Sequence, residues 1–312
     1  MRIYFDNVFF DSQSGPNSFG NRLANQFLKM GHEIAKENEN YDIFLSFIEQ
    51  RVRSALRSKK VLRLDGIWFK PENFEQNNRT IKQAYFAFDH VIFQSNFDKQ
   101  MIETHFGKRS DCSVIHNGID LCVMDAIPQI SHKNEKIFVC SASWHPQKRL
   151  KDNILLFSQI RKQLKKNRED ARLYVLGKNA DFQSLSSEDL ENVFYLGHQR
   201  HEACLKIYAT ADYFIHLAWL DHCPNVVVEA LSQGCPVICT SSGGTHEIVK
   251  ENGIIIPETK DYNFELTDYD SPYPIDFSNF ILPEKRPEVN ADYLDIEKVA
   301  EEYIRIFKNE TY

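Results

Sequence analysis

The residues of this 312-residue chain that could do chemistry gather in four short segments. The sharpest runs from Ala211 to Ile256, ADYFIHLAWLDHCPNVVVEALSQGCPVICTSSGGTHEIVKENGIII. There a strand is expected to end at Trp219 and a loop to carry Asp221. Pro224 should open a helix that Gly234 terminates. The unbonded amides at such a helix start, those of Asn225 and Val226 among them, combine with the helix dipole into an anion site. A diphosphate fits that chemistry.

Gly243 and Gly244 follow the strand-like CPVICT and must turn the chain sharply at the carboxyl edge of a sheet, where open α/β sheets bind ligands. In SASWHPQKRLKD, Lys148 and Arg149 fall after a strand and before a helix, two adjacent cations in a chain of net charge -7. A phosphate is the group they suit. Gly15 and Gly20 stand ahead of an apolar-periodic helix that ends at Gly31, with the spacing G-x-x-x-x-G rather than the dinucleotide fingerprint G-x-G-x-x-G.

Taken together, these segments resemble glycosyltransferase family 4, and the resemblance spans most of both halves of the chain. Two acids separated by seven residues, a small-residue turn, a PVI strand and a double glycine carry it. Here Asp221 and Glu229 have that spacing. The resemblance implies that Asp221 contacts hydroxyls of the donor sugar, although most relatives have glutamate there, and that Glu229 binds the ribose of the nucleotide. It implies a basic pair on the diphosphate: Lys148 matches the lysine, Ser143 stands where the arginine would be, and the second charge passes to Arg149. The loop of Gly15 and Gly20 resembles the family's glycine-rich loop, which touches donor phosphate or sugar. Gly197 and His198 follow NVFYLG, a position that lies against the base in relatives. HNGID, His116 to Asp120, resembles a turn that ends the first domain. Asp65, in RLDGIWF, either orients a sugar hydroxyl or caps a turn with Gly66.

No cofactor and no metal are expected. The leaving nucleoside diphosphate gathers negative charge that cations and amides stabilise. Asp268 and Asp270 in TDYD are read as loop acids, and His198 and His201 as helix-start or surface residues.

The elements that must position these residues follow from alternation. RIYFDNVFF, YDIFLSFI, KKVLRLDGIWF and HVIFQSNF alternate with helix-like stretches, and so do KIFVCSAS, ARLYVLGK, NVFYLG, ADYFIHLAW and CPVICTSS. Parallel strands joined by crossover helices are implied. The expected fold is α/β, two Rossmann-like doubly wound domains facing a cleft, the GT-B architecture of the family. The domains are placed at residues 1–130, on the acceptor side, and 131–295, on the donor side. The linker is expected within LCVMDAIPQISHKNEK. Residues 296–312 form an amphipathic helix that needs a partner surface, expected on the first domain.

Composition agrees with this reading and excludes others. The chain is 42% hydrophobic and 26% charged, ordinary for a globular protein, and its acidity argues against nucleic acid as a partner. No secretion signal and no run of about 20 apolar residues is seen, so a cytoplasmic location with reduced thiols is expected. The function expected from the resemblance is retaining transfer of a hexose from a nucleotide diphosphate sugar, of GDP-mannose or UDP-glucose type, to a glycan or other hydroxyl acceptor. The partners are that donor and acceptor, with a homodimer left open. A nucleotide-sugar epimerase of GT-B architecture and a non-catalytic nucleotide-sugar binding protein are the alternatives.

Overall fold

The computed structural model describes residues 1–12, 14–128 and 135–310. The expected boundary between residues 130 and 131 lies outside the described residues. The first lobe contains β1 (Arg2–Asp6), α1 (Gly15–Lys29), β2 (Glu33–Ala35), β3 (Ile43–Phe47), β4 (Lys59–Leu64), α2 (Phe74–Ala87), β5 (His90–Phe93), α3 (Asn96–Phe106) and β6 (Cys112–Val114). Its strands form one sheet in the order β2-β1-β3-β4-β5-β6, every pairing parallel. The second lobe contains β7 (Glu135–Ser143), α4 (Leu150–Lys166), β8 (Asp170–Lys178), β9 (Val193–Gly197), α5 (His201–Thr210), β10 (Tyr213–His216), α6 (Asn225–Ser232), β11 (Val237–Thr240), α7 (Thr245–Val249) and β12 (Gly253–Ile256). Its sheet runs β12-β11-β10-β7-β8-β9, again all parallel.

The central strands read as unbroken apolar runs because both faces of each sheet are covered by helices. All five residues of IFLSF in β3 and all four of YFIH in β10 are buried. In the second sheet the chain begins at β7, moves outward through β8 and β9, and returns to the other side of β7 as β10. The connections leaving β7 and β10 therefore part in opposite directions, and a crevice opens at their carboxyl ends. Lys148 follows β7 and Asp221 follows β10, so the topology alone brings them together.

The last helix, α8 (Ile296–Lys308), belongs to the core of the first lobe. Val299, Tyr303 and Phe307 are buried there with Phe19, Leu23 and Phe27 of α1, and the Phe27 and Phe307 rings meet edge to face at 5.7 Å. Each such side chain contributes about 1.5 to 3 kcal/mol by leaving water. Asp295 caps the helix by accepting from the Glu297 amide at 3.0 Å. The chain that leaves β6 pairs with the chain that enters α8: the Ile119 amide donates to the Leu294 carbonyl and the Ile296 amide to the Ile119 carbonyl.

Three boundaries differ from those read in the sequence. β10 stops at His216 rather than Trp219, because the Trp219 amide turns to the Gln147 carbonyl at 2.7 Å and Leu220 adopts a left-handed φ of 53°. Gly15 is the first residue of α1 and Gly20 lies inside it, so neither stands ahead of the helix. Pro224 is the cap of α6 and Asn225 its first residue. Among the described residues no helix is long and apolar enough to cross a membrane. All seven cysteines are free thiols, and Cys140 and Cys239 are buried in strands of the second sheet and Cys235 in the turn before β11.

Candidate active site

The crevice of the second lobe is built from two loops that hold each other. After β7 a short 3-10 turn, Pro146–Lys148, carries Lys148, and its Gln147 carbonyl takes the Trp219 amide of the loop after β10. Two residues on, the Asp221 carboxylate pairs with the Lys148 ammonium and lies 3.4 Å from Nε2 of buried His216. Burial alone would raise the Asp221 pKa, but Lys148 and His216 outweigh it and hold the carboxyl well below the usual range. Burial keeps His216 itself below the ordinary imidazole value, against the pull of Asp221. The result is an ionised aspartate facing a single ammonium at the switch point of the sheet.

Gly243 and Gly244 lie directly under this loop. Gly243 has φ 66°, and a Cβ there would lie 2.7 Å from the Asp221 amide nitrogen. A Cβ on Gly244 would lie 2.7 Å from Cβ of Ser95 in the first lobe, and the Gly244 amide donates to the Asp221 carbonyl at 2.7 Å. Only glycine allows two backbones and a neighbouring lobe to approach this closely. Gly243 also walls a cavity of about 490 Å³ shared by the lobes, bordered by Phe97, Gln100, Trp219, Lys260 and Tyr262.

From Asp221 the chain enters α6, whose first amides, Asn225 and Val226, have no partner among the described residues and point a helix dipole at the crevice. Glu229 follows about one turn later, on the same helix. It is 7% exposed, and its Oε1 lies 3.2 Å from Nε2 of His201, the first residue of α5. Gly197, with φ 67°, ends β9, and exposed His198 begins the loop that delivers His201 to this point.

The first lobe closes the site from above. The Asn225 side chain donates through Nδ2 to the Gly15 carbonyl at 3.0 Å, and its Oδ1 accepts from Arg22 at 2.9 Å and from Asn117 at 3.1 Å. Asn117 in turn accepts from Arg63, a fully buried arginine whose guanidinium stacks over Phe19 and Phe47. His222 donates through Nδ1 to the buried Asp98 carboxylate at 2.9 Å, and Gly66 leaves room for its ring. Glu247, in α7 just after the two glycines, accepts from the Asn96 and Phe97 amides at 2.7 Å and so caps α3 across the lobes.

Several expected site residues therefore meet: Lys148 with Asp221, Gly243 and Gly244 beneath them, and Asn225 with Gly15 beside Pro224, Val226 and Glu229. Three do not fit the role expected of them. Arg149 does not share an anion with Lys148, because its left-handed backbone turns the side chain inward, where it forms two hydrogen bonds to Glu258, at 2.7 and 3.1 Å, and further ones to the Tyr273 and Leu217 carbonyls. Gly20 is buried in α1, where a Cβ would lie 2.8 Å from Val8, so it serves helix-to-strand packing rather than a ligand. Asp65 turns its carboxylate back onto Arg63. Ser143, the exposed last residue of β7, brings no charge. Asp268 and Asp270 both hold Lys70, and among the described residues no three His, Cys, Asp or Glu side chains converge as metal ligands would.

Sequence reasoning missed Arg22, His216, Asp98 and Glu247. Asp98 had a legible sign, since SNFD is a helix-start pattern with Ser95 capping and an acid three residues on. Arg22 had none, because its partners Asn225 and Glu229 are distant in the chain, and His216, only five residues before Asp221, reads in the sequence as the end of a buried strand.

Comparison with known proteins accords with this geometry. Residues 125–265 match the model of the family described as glycosyl transferases group 1. No curated protein sequence matches the chain significantly. Among solved structures, Anabaena Alr3699/HepE in complex with UDP and glucose is similar at a TM-score of 0.67 and 17% identity, over 99% of this chain and 100% of that one. AviGT4, a glycosyltransferase involved in avilamycin A biosynthesis, gives 0.66 and 15% identity over 99% and 97%. The lipopolysaccharide outer core galactosyltransferase WaaB in its apo form gives 0.64 and 12% identity over 100% of both chains. At such identities these structures establish the fold. The two six-stranded parallel sheets facing each other have the GT-B architecture of these structures, and most of the second lobe lies within residues 125–265, the part that matches the group 1 glycosyl transferase model.

Proposed function

We propose that this protein transfers a hexose from a nucleotide diphosphate sugar, of GDP-mannose or UDP-glucose type, to a hydroxyl of a glycan or other acceptor, with retention at the anomeric carbon and without a metal. The observation that carries the reading is the meeting of Lys148 and Asp221 at the switch point, beside the start of α6 and within about two turns of Glu229. A nucleoside diphosphate laid across α6 would place its ribose hydroxyls at the Glu229 carboxylate. Its phosphates would lie at the free amides and Lys148, and its sugar at Asp221.

In this reading the bond from the anomeric carbon to the diphosphate oxygen breaks as the acceptor oxygen bonds to the same carbon from the same face. The acceptor proton passes to the departing diphosphate. The chain contributes orientation, and Lys148 with the α6 amides meets the growing negative charge. Ion pairing with Asp221 holds Lys148 in place until the donor arrives.

The test is a division of labour measured by calorimetry with UDP, GDP, UDP-glucose and GDP-mannose. Glu229→Ala should weaken free nucleotide and sugar donor alike, and Asp221→Ala should weaken only the sugar donor. Equal losses for both ligands in both variants would reject the assignment. Affinity that collapses with EDTA and returns with manganese or magnesium would reject metal independence. Products from donor alone would point to the epimerase instead.

A further inference from the structure

Among the described residues, Lys148 is the cation that the second lobe brings to the proposed diphosphate position. Ser143 is uncharged, and Arg149 is neutralised by Glu258 with its guanidinium wholly buried. A second cation does reach the start of α6, and it comes from the opposite lobe. Arg22 lies two turns into α1, and its guanidinium fits between Asn225 and Glu229: Nη2 donates to Asn225 Oδ1 at 2.9 Å, while Nη1 stands 3.6 Å from Glu229 Oε1.

The guanidinium is incompletely satisfied. Its Nε is buried and has no hydrogen-bond partner among the described residues, and the contact to Glu229 is longer than a hydrogen bond. An arginine that served only to tie the lobes would be expected to have its buried donors paired. Asn225 Oδ1, for its part, also accepts from Asn117, so it stays bonded when Arg22 turns away. The open donor is therefore on Arg22, next to the unpartnered amides of α6.

We propose that Arg22 is a ligand of the donor diphosphate, supplying across the lobe boundary the second charge that position 143 lacks; this rests on the nucleotide-sugar reading above. With a diphosphate on the start of α6, the Nε–H and an adjacent Nη–H bond two oxygens of one phosphate, as the planar fork of arginine does. The contact to Asn225 is given up. Because α1 belongs to the first lobe, the diphosphate then bridges the lobes, and a nucleoside without phosphate does not.

Titration calorimetry on the full chain decides this, with UDP and GDP compared against uridine and guanosine. Arg22→Gln should lose about ten- to a hundredfold of diphosphate affinity, as expected for one charge-assisted contact, and keep its nucleoside affinity within about twofold. An equal loss for diphosphate and nucleoside would show that Arg22 only orders Glu229, and would overturn the proposal. Should Arg22→Gln fail to fold, Arg22→Lys carries the test: a point charge in place of the fork should weaken the diphosphate at least about threefold and spare the nucleoside, and unchanged diphosphate affinity would overturn it. A wild-type chain that binds neither UDP nor GDP would remove the nucleotide-sugar reading itself, an outcome distinct from a failure at Arg22.

Discussion

The carboxylate of Glu247 accepts the amide of Phe97 at 2.7 Å, so the short helix that follows the double glycine of one lobe joins Ser95 in capping a helix of the other. Glu247 takes the Asn96 amide and side chain as well, at 2.7 and 2.9 Å. A cap is ordinarily local, and one supplied from the other lobe ties helix stability to lobe contact. Glu247→Ala should cost about 2 kcal/mol, within the range for a lost cap and near that of a hydrogen bond to a charged group. Urea midpoints check this: Glu247→Gln, which keeps one oxygen acceptor, should fall between wild type and alanine, and an unchanged midpoint in the alanine variant rejects the capping role.

Lys148 and Arg149 are neighbours in sequence and opposites in environment. Arg149→Ala would leave Glu258, whose side chain is 5% exposed, as an unpaired buried charge, and should destabilise the fold by about 3 to 5 kcal/mol. Lys148→Ala should cost only about 1 kcal/mol of stability, because that pair is partly exposed, but it should lower kcat/KM by about ten- to a hundredfold. Melting curves and steady-state kinetics on both variants separate the two; a kinetic defect in Arg149→Ala that exceeds the one in Lys148→Ala would overturn the distinction.

Gly243 is held at a left-handed φ of 66° against the Asp221 backbone. Gly243→Ala should force the two loops apart at a cost of about 1 to 3 kcal/mol, the range of other overpacked sites. Because the displaced segment carries Asp221, sugar-donor affinity should fall more than free-nucleotide affinity. Matching losses for the two ligands, read by calorimetry, would argue against it.

His90, at the start of β5, sits beside Ser113 at 3.0 Å. Burial, helped by Lys59 and Arg109 and opposed by Asp111, pushes its pKa down to about 4 from an ordinary 6.5. Between those two values the unfolded chain binds the proton and the folded chain does not. Stability should therefore be fully present above about pH 6.5, fall as the pH drops towards about 4, and level off below. His90→Asn should flatten that part of the profile, and urea midpoints measured across it give the answer. A slope that survives in the variant assigns it to other groups.

The architecture was legible because parallel strands covered on both faces are unbroken apolar runs, and YFIH or IFLSF cannot be mistaken for surface. The second-lobe crevice was legible for a related reason: a proline, a glycine and paired acids mark one helix locally. What could not be read were side-chain directions and long-range partners. Nothing in KR distinguishes Lys148, which faces Asp221, from Arg149, which a left-handed backbone turns toward Glu258, far along the chain. Gly20 reads like a loop glycine until Val8 is seen packed against it. Arg22 carries no local sign at all, since its partners Asn225 and Glu229 are brought to it only when the lobes meet.

The docking of α8 on α1 bears on how the molecule comes into being on the ribosome. The first lobe is made first, yet one side of its core consists of Val299, Tyr303 and Phe307, which emerge only after the whole second lobe has been translated. Until then Phe19 and Phe27 lack their cover. The lobe translated first is therefore finished last, and the Ile119 to Asp295 bridge, which joins the chain leaving that lobe to the chain returning to it, can form only at that closing moment.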